Sequence, residues 1–377
     1  MVFTETFLPR VDGIVNTLKW TSLGLLAAGW QPLIVAPAGN TQPLSGVRVL
    51  ASPSIAFPLY PEVRLGFPTQ DVWRAIDRFR PDVVHLAGPV TNGFGGLKYA
   101  RSRGLPVIST YHTALPAYAR LYGLGWLEDW AWSLLRAVHN STATTLCPSR
   151  ATLAELRARG FQRLALWLRG VDSSLFTPRR RSEEMRARLG ARPDSMLMLF
   201  VGRLAREKKL ERLVGAMAQL EGAHLALVGS GPQREQLQQL FDGLPVTFTG
   251  PLHGTELAAA YASADVFVFP SDTETFGNVV LEAMASALPV IATTVGGQVD
   301  LVQHARTGLL FAPEDNLALE SSLRAYRDDP ELRARHGQAG LQSARERTWA
   351  RQVDTLIAHY ESAINVSVED TRVLTAA

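Results

Sequence analysis

A single cysteine, Cys147, stands in 377 residues, so neither an intrachain disulfide nor a Cys-built metal site can form. No apolar run approaches the roughly 18 residues of a spanning helix, and no signal peptide opens the chain. These absences argue against a secreted or integral membrane protein and make a cytoplasmic one the expectation. The chain has no paired Asp-x-Asp for a nucleotide-bound cation and no His/Asp/Glu cluster at metal spacing. No metal or other cofactor is therefore expected. Charge is sparse at 19%, against 46% hydrophobic residues, a globular balance rather than a disordered one. At roughly 100–200 residues per domain, the length implies two or three domains.

The net charge of +3 is too small to imply nucleic acid, but its distribution is uneven. Residues 1–173 hold 17 Lys/Arg and 10 Asp/Glu, for +7; residues 174–377 hold 21 and 25, for −4. Such an asymmetry points one half toward an anionic partner, phosphates or a lipid surface, with a scattered solvated surface as the plainer reading.

Short apolar runs alternate with amphipathic stretches. Pro32–Ala36, Val83–Leu86, Val107–Tyr111 and Thr144–Cys147 read as buried strands, as do Met196–Val201, Leu225–Val228, Val246–Phe248, Val266–Pro270 and Val290–Ala292. Helical patterns such as Ser149–Arg159, Leu210–Leu220, Gln233–Phe241 and Val279–Ala287 separate them. Continuous apolar strands interleaved with helices indicate parallel sheets covered on both faces. That many strands fit two doubly wound α/β domains better than one. Pro178 and the run Arg179–Arg181 place a linker near Ser173–Ser182, giving domains 1–173 and 174–346. A last helix over 347–363 carries Trp349, Val353, Leu356, Ile357 and Tyr360 on one packing face, and Thr371–Ala377 is expected to fray. Met1-Val2-Phe3 is short for a first strand, so either the strand is stunted or the start lies upstream, the second being favoured.

Ligands of doubly wound domains bind at the carboxyl ends of the strands, and the polar candidates fall there. Ser271–Gly277 links a strand to a helix, and the amides of Thr275–Gly277 would face an anion at its N-terminus. Glu274 stands at that mouth and Glu282 inside the helix, up to ~12 Å along the axis. That is too far for a glycosidase carboxylate pair, but suited to holding two ends of one long ligand. Arg203 and Lys208, after the strand Met196–Val201, can converge on a diphosphate. Gly229-Ser230-Gly231-Pro232 permits close backbone approach to a ligand. Asp12-Gly13 sits at a strand-to-helix turn, and His112 follows the strand Val107–Tyr111 at the ligand face; His85 and His139 read as structural. Tyr118, Tyr122, Trp126 and Trp130 recur at four-residue spacing, with Trp132 nearby and a second apolar loop at Phe57–Pro61. They read either as core packing or as an amphipathic contact with a bilayer.

Taken together, these residues resemble a family. Glu274-x7-Glu282 with Phe276-Gly277 between resembles the signature of the retaining glycosyltransferases of family 4, and Gly202-Arg203-Leu204…Glu207-Lys208 resembles its phosphate-binding loop. Gly170-Val171-Asp172, Leu227–Pro232 and Gly296-Gly297 recur in order, so the likeness covers roughly residues 2–315. The opening Phe3–Pro9…Asp12–Val15 and Ser109–Thr113 look closest to the branch of GDP-mannose-dependent α-mannosyltransferases and sulfoquinovosyl-diacylglycerol synthases. Arg169 stands where the family often has Asn.

The resemblance implies the GT-B fold, two Rossmann-like doubly wound domains facing a cleft, the last helix crossing back to the first domain. It implies that Arg203, Lys208 and Gly13 bind the donor's diphosphate, and that Glu282 holds the ribose. Glu274 with Thr275, Phe276 and Gly277 would hold the donor sugar, and Gly250 and Leu252 would contact the base. Glu274 and His112 would be the catalytic pair. The reaction implied is hexose transfer with retention from a GDP- or UDP-sugar to a lipid such as diacylglycerol or a glycolipid, without metal, by a cytoplasmic enzyme peripheral on the inner face of the plasma membrane. A soluble or polysaccharide acceptor, a nucleotide-sugar epimerase on the same fold and a non-catalytic nucleotide-sugar binding subunit remain the alternatives; a nucleic-acid module is not recognisable.

Overall fold

The computed structural model describes residues 1–57, 60–88, 90–112, 116, 123 and 125–376. The chain divides into two units. One is built chiefly from the described residues up to Arg169 together with the last helix, Trp349–Ala376; the other spans Gly170–Thr348. The division falls at Arg169/Gly170 rather than at residue 173, and the closing helix starts at Trp349 rather than 347. It also runs on to Ala376, past the point where the sequence pattern fades.

The first unit holds strands β1 (Val2–Phe3), β2 (Leu33–Pro37), β3 (Arg48–Ser52), β6 (Val84–Leu86), β7 (Val107–Thr110), β8 (Thr144–Cys147) and β9 (Leu164–Leu166). They form one parallel sheet in the order β3-β2-β1-β6-β7-β8-β9. Short as it is, β1 pairs on both sides, Val2 opposite Ile34 and His85. A separate antiparallel hairpin joins β4 (Ser54–Phe57) to β5 (Tyr60–Gly66). The apolar loop expected at Phe57–Pro61 is thus mostly strand, with Pro58 and Leu59 outside the described residues.

The last helix belongs to this unit because its apolar face has a partner there. Val353, Leu356, Tyr360 and Ala363 pack with Leu25, Val83, Ile108, Leu146 and Trp167, and Trp349 stacks on Trp20 with centroids 6.3 Å apart. Buried polar groups are matched as well. His85 bonds the Tyr360 hydroxyl at 2.8 Å, and the Trp167 indole donates to the Gln352 carbonyl at 2.9 Å.

The second unit holds β10 (Met196–Val201), β11 (Ala223–Val228), β12 (Val246–Gly250), β13 (Val266–Phe269), β14 (Val290–Thr293) and β15 (Gly308–Phe311), all parallel in the order β12-β11-β10-β13-β14-β15. This is the Rossmann order, reversing between β10 and β13. All six residues of β10 and all four of β13 are buried, because helices cover both faces of the sheet.

Candidate active site

Where strand order reverses, the two loops leaving the flanking strands diverge and open a crevice. In the second unit these are Gly202–Lys208 after β10 and Ser271–Gly277 after β13. They are tied together from below. The Ser271 hydroxyl donates to the Glu207 carbonyl at 2.8 Å, and Arg212 donates to the Pro270 carbonyl at 2.8 Å while pairing with Asp272 at 3.0 Å. On this frame Lys208 Nζ meets Glu274 Oε2 at 2.8 Å, with the ammonium 5.3 Å from the Phe269 ring centroid. Arg203 lies half-buried on the same loop as Lys208.

Glu274 is the focus of the site's electrostatics. Burial works to raise its carboxyl, but the charge and hydrogen bond of Lys208, with the amides of Phe276 and Thr275, outweigh it and hold Glu274 below the usual carboxylate range. Two of the amides read from sequence as facing a ligand, those of Thr275 and Phe276, therefore bond Glu274's own carboxylate. Gly277, at φ +100°, turns the chain into the helix Asn278–Ala285. A second loop braces the arrangement. The Gly297 amide donates to the Glu274 carbonyl at 2.7 Å, and a Cβ on Gly297 would lie 2.3 Å from the Thr275 carbonyl oxygen. The Thr293 hydroxyl and Gln298 amide both donate to the Ser271 carbonyl, at 2.6 and 2.9 Å.

Glu282, on the helix that Gly277 opens, is half-buried. Burial pushes its carboxyl up to about 7, with a 2.9 Å bond from the Tyr261 hydroxyl acting in the other direction. It titrates near neutrality.

The glycines of Gly229–Pro232 meet the backbone of the loop after β10. A Cβ on Gly229 would lie 2.0 Å from the Gly202 carbonyl, and one on Gly231 2.3 Å from that of Leu204. They allow close approach of the neighbouring loop. Gly250 accepts from the Gly229 amide at 2.9 Å, and Leu252 is buried beyond it.

Gly13 and His112 belong to the first unit, whose sheet reverses between β1 and β6. Gly13 is exposed and begins the helix Gly13–Ala27, whose Asp12 cap accepts from the Ile14 and Val15 amides, both at 2.9 Å. On the loop after β1, Glu5 accepts from the Asn92 and Gly93 amides at 2.7 and 3.3 Å, and burial pushes its carboxyl up to about 7. His112 lies just past β7, its Nδ1 3.3 Å from the guanidinium of buried Arg169. Burial, then Arg169, keeps the imidazole well below its usual range. His85 and His139 are buried, His85 between Tyr360 and Thr110 and His139 against Ser109.

The aromatic series divides. Trp132 is buried against Phe161, whereas Trp126 and Trp130 are 77% and 62% exposed. Tyr118, Tyr122 and Thr113 lie outside the described residues.

In the first unit Glu5 was not singled out from the sequence and Arg169 only as a departure from the family's Asn; in the second, Arg212, Tyr261 and Gln298 were not singled out. Their partners lie far along the chain or depend on burial; Arg212 reaches 58 residues to Pro270, and Gln298 reaches 27 to Ser271. Gln298 had a local sign in the adjoining Gly296-Gly297 pair, and Arg169 in the adjoining Gly170-Val171-Asp172. Among the described residues no group of three His, Cys, Asp or Glu could hold a metal ion, and no helix is long and apolar enough to cross a membrane.

Comparison with known proteins places this geometry in a family. The model for Glycosyltransferase Family 4 matches residues 11–175, and that for Glycosyl transferases group 1 matches 195–329. A GDP-mannose-dependent alpha-mannosyltransferase of Mycobacterium tuberculosis is 40% identical over 371 residues, 96% of each chain. The sulfoquinovosyl transferase SQD2 of Arabidopsis thaliana is 40% identical over 342 residues, 88% of this chain and 67% of that one. Among solved structures, a sucrose-phosphate synthase from Thermosynechococcus elongatus superposes with a TM-score of 0.82 at 25% identity, covering 97% of this chain and 98% of that one. The two Rossmann-like domains are those of the GT-B fold, and the chain belongs to the family 4 glycosyltransferases.

Proposed function

We propose that this glycosyltransferase moves a hexose with retention of configuration onto a lipid, diacylglycerol or a glycolipid, with GDP-mannose as first donor and a UDP-sugar as second. The observation that carries the reading is the Lys208–Glu274 pair at the point where the second sheet reverses. A nucleotide-sugar needs a cation for its diphosphate beside acceptors for its sugar hydroxyls, and these two side chains supply both. The 40% identical relative named for GDP-mannose supports the choice of donor.

In this reading Lys208 and Arg203 neutralise the diphosphate, with Gly13 admitting a phosphate close to the backbone. Glu274 with Thr275, Phe276 and Gly277 holds the sugar, Glu282 the ribose hydroxyls, and the backbone at Gly250 and Leu252 the base. The acceptor's hydroxyl oxygen bonds to the anomeric carbon on the face the leaving group vacates. The bond from that carbon to the phosphate oxygen breaks, its electron pair passes to the diphosphate, and the hydroxyl proton goes to a phosphate oxygen. The work is electrostatic, fixed charges stabilising the leaving group as it departs, so no metal is invoked. His112 lies by the sugar and the acceptor. The likeness to the lipid-glycosylating branch and the exposed Trp126 and Trp130 support a lipid acceptor reached from the cytoplasmic face of the membrane.

Thermal stability against GDP-, UDP- and ADP-sugars without added metal tests the donor, since a ligand of the folded state raises the melting temperature by mass action. A selective rise with GDP-mannose is expected. A selective rise with a UDP-sugar moves the donor to the second choice, and no rise with any donor overturns the assignment.

A further inference from the structure

Arg169 is 2% exposed and pairs with no carboxylate among the described residues. A buried guanidinium without a counter-ion is costly and calls for a purpose. Among the described residues it meets two carbonyls, one aromatic ring and one imidazole. One terminal nitrogen donates to the Trp167 carbonyl at 2.9 Å and the Leu168 carbonyl at 3.3 Å, the cation lies 4.4 Å from the Trp167 ring centroid, and the other terminal nitrogen faces His112 Nδ1 at 3.3 Å. The carbonyls and the ring fix the fork in place, so its free edge points at one imidazole nitrogen.

We infer that Arg169 is a positioning residue that fixes the tautomer of His112, so that the ring acts as a hydrogen-bond donor through Nε2 and not as a general base. A guanidinium has only N–H groups to offer. Whatever bonds it must present a lone pair, so Nδ1 carries no proton and the neutral ring's proton sits on Nε2. Protonating Nδ1 would set two cations face to face in a buried space, and the ring therefore stays neutral. Burial draws Arg169 itself down to about 9, still charged at neutral pH. The other titratable groups bearing on the ring, His85 and His139, are buried and held below their usual range, and so add no second charge at neutral pH.

This deepens the proposed function and rests on its placing of His112 by the sugar. There the Nε2–H would donate to a sugar or acceptor oxygen, while the acceptor's proton goes to the leaving phosphate. The residue before Gly170-Val171-Asp172 thus gains a role in the first unit alone.

The test reads the tautomer directly. Long-range proton–nitrogen NMR on the full chain labelled in its eight histidine rings, with His112 assigned by loss of its signal in His112→Asn, is recorded without ligand from about pH 6 to about 8, the span where an ordinary imidazole titrates. The inference expects a non-titrating ring protonated on Nε2 only. Arg169→Met is expected to free Nδ1, so that the neutral ring takes up the Nδ1-protonated form in part and its titration moves upward, burial still holding it below the ordinary range, and to add an acidic limb to the kcat profile. Arg169→Lys keeps a cation and a donor and is expected to show no such limb. A wild-type ring protonated on Nδ1, or one that titrates in this window, overturns the inference, and so does an Arg169→Met ring unchanged in tautomer and pH response. If Arg169→Met fails to fold, the wild-type tautomer and the Arg169→Lys profile decide. Absence of sugar transfer by the wild type would defeat the proposed function, yet the NMR result would still stand for or against the tautomer.

Discussion

Lys208 and Glu274 neutralise each other across 2.8 Å, Nζ to Oε2, from two loops that leave neighbouring strands at the reversal of the second sheet. Neither loop could hold its residue there alone. The Ser271–Glu207 bond and the Arg212 bridge lock one loop to the other, and the Gly297 amide pins the backbone of Glu274. A donor entering this site therefore meets charges already placed, which is where electrostatic catalysis gains its effect.

Lys208→Ala and Glu274→Ala should each lower kcat by at least about 100-fold, the scale of losing one preorganised charge. Neither should unfold the protein, because both side chains are partly exposed, at 15% and 22%. In Lys208→Ala the Glu274 carboxyl should also rise, since its strongest stabilising partner is gone. Steady-state kinetics and thermal melts of the purified variants check this; near-normal turnover in either would sink the role given to the pair.

Glu282 should make donor binding depend on pH. With its carboxyl near 7 it is half protonated at neutrality, and only the carboxylate can accept from two ribose hydroxyls. Donor affinity should strengthen from about pH 6 to about 8, while Glu282→Gln binds weakly at every pH. The Tyr261 bond lowers this carboxyl, so Tyr261→Phe should move the midpoint upward. Stability of the free protein runs the opposite way. A carboxyl raised by folding contributes fully below 4.5 and loses that contribution as pH rises through about 7, and Glu5 adds in the same sense. Titration calorimetry and melts over one pH series would separate the two slopes.

Gly297→Ala tests the brace. Its Cβ would lie 2.3 Å from the Thr275 carbonyl and 2.4 Å from the Phe276 Cα, so the Glu274 loop must shift. Misplacing a binding group by about 1 Å can cost about 100-fold in rate. A fall of that order in kcat/KM with little loss of melting temperature is the expected outcome, and an unaffected rate would show that the loop position is not critical.

The first unit should be acid-sensitive through His85. Burial draws this imidazole down from 6.5 to about 3, so the unfolded chain takes up a proton that the folded one refuses. Its contribution is whole above 6.5 and is lost as pH falls toward 3. Tyr360→Phe removes the hydroxyl that bonds Nδ1 at 2.8 Å and should cost about 1–3 kcal/mol, the penalty of a buried polar group left unmatched. Denaturant melts at neutral and acid pH measure both effects.

Trp126 and Trp130 offer a test of the lipid side. Both are largely exposed, so replacing the two with Ala should leave the melting temperature within a degree or so and weaken sedimentation with anionic vesicles. Unchanged vesicle binding would remove these two residues from the membrane contact.

The buried architecture was plain in the sequence, because β10 and β13 are unbroken apolar runs and central parallel strands have no polar face. Of the four edge strands only β12 was. β9 and β15 are short and half-buried, and β3 carries Arg48 into the sheet, so none stands out from a loop by composition. The long hairpin over 54–66 was missed because Pro58 and Pro61 read as turn punctuation. At the site, Glu274, Lys208 and Glu282 could be named from spacing, but not that Glu274 would take the amides of its own loop. The Gly229–Gly231 pair advertised close approach without saying to what. Arg169 stood out only as a departure from the family's Asn; its burial and its reach to His112, 57 residues back in the chain, show in no local window.

The measurement closest to the central claim is transfer itself. The purified protein is incubated with radiolabelled GDP-mannose and vesicles containing diacylglycerol, without metal, and the lipid product is isolated and the configuration at its anomeric carbon assigned. The account predicts a lipid-linked mannoside with the α configuration of the donor, and a Lys208→Ala control that forms almost none. A β-linked product, or donor converted with no acceptor present, would contradict it.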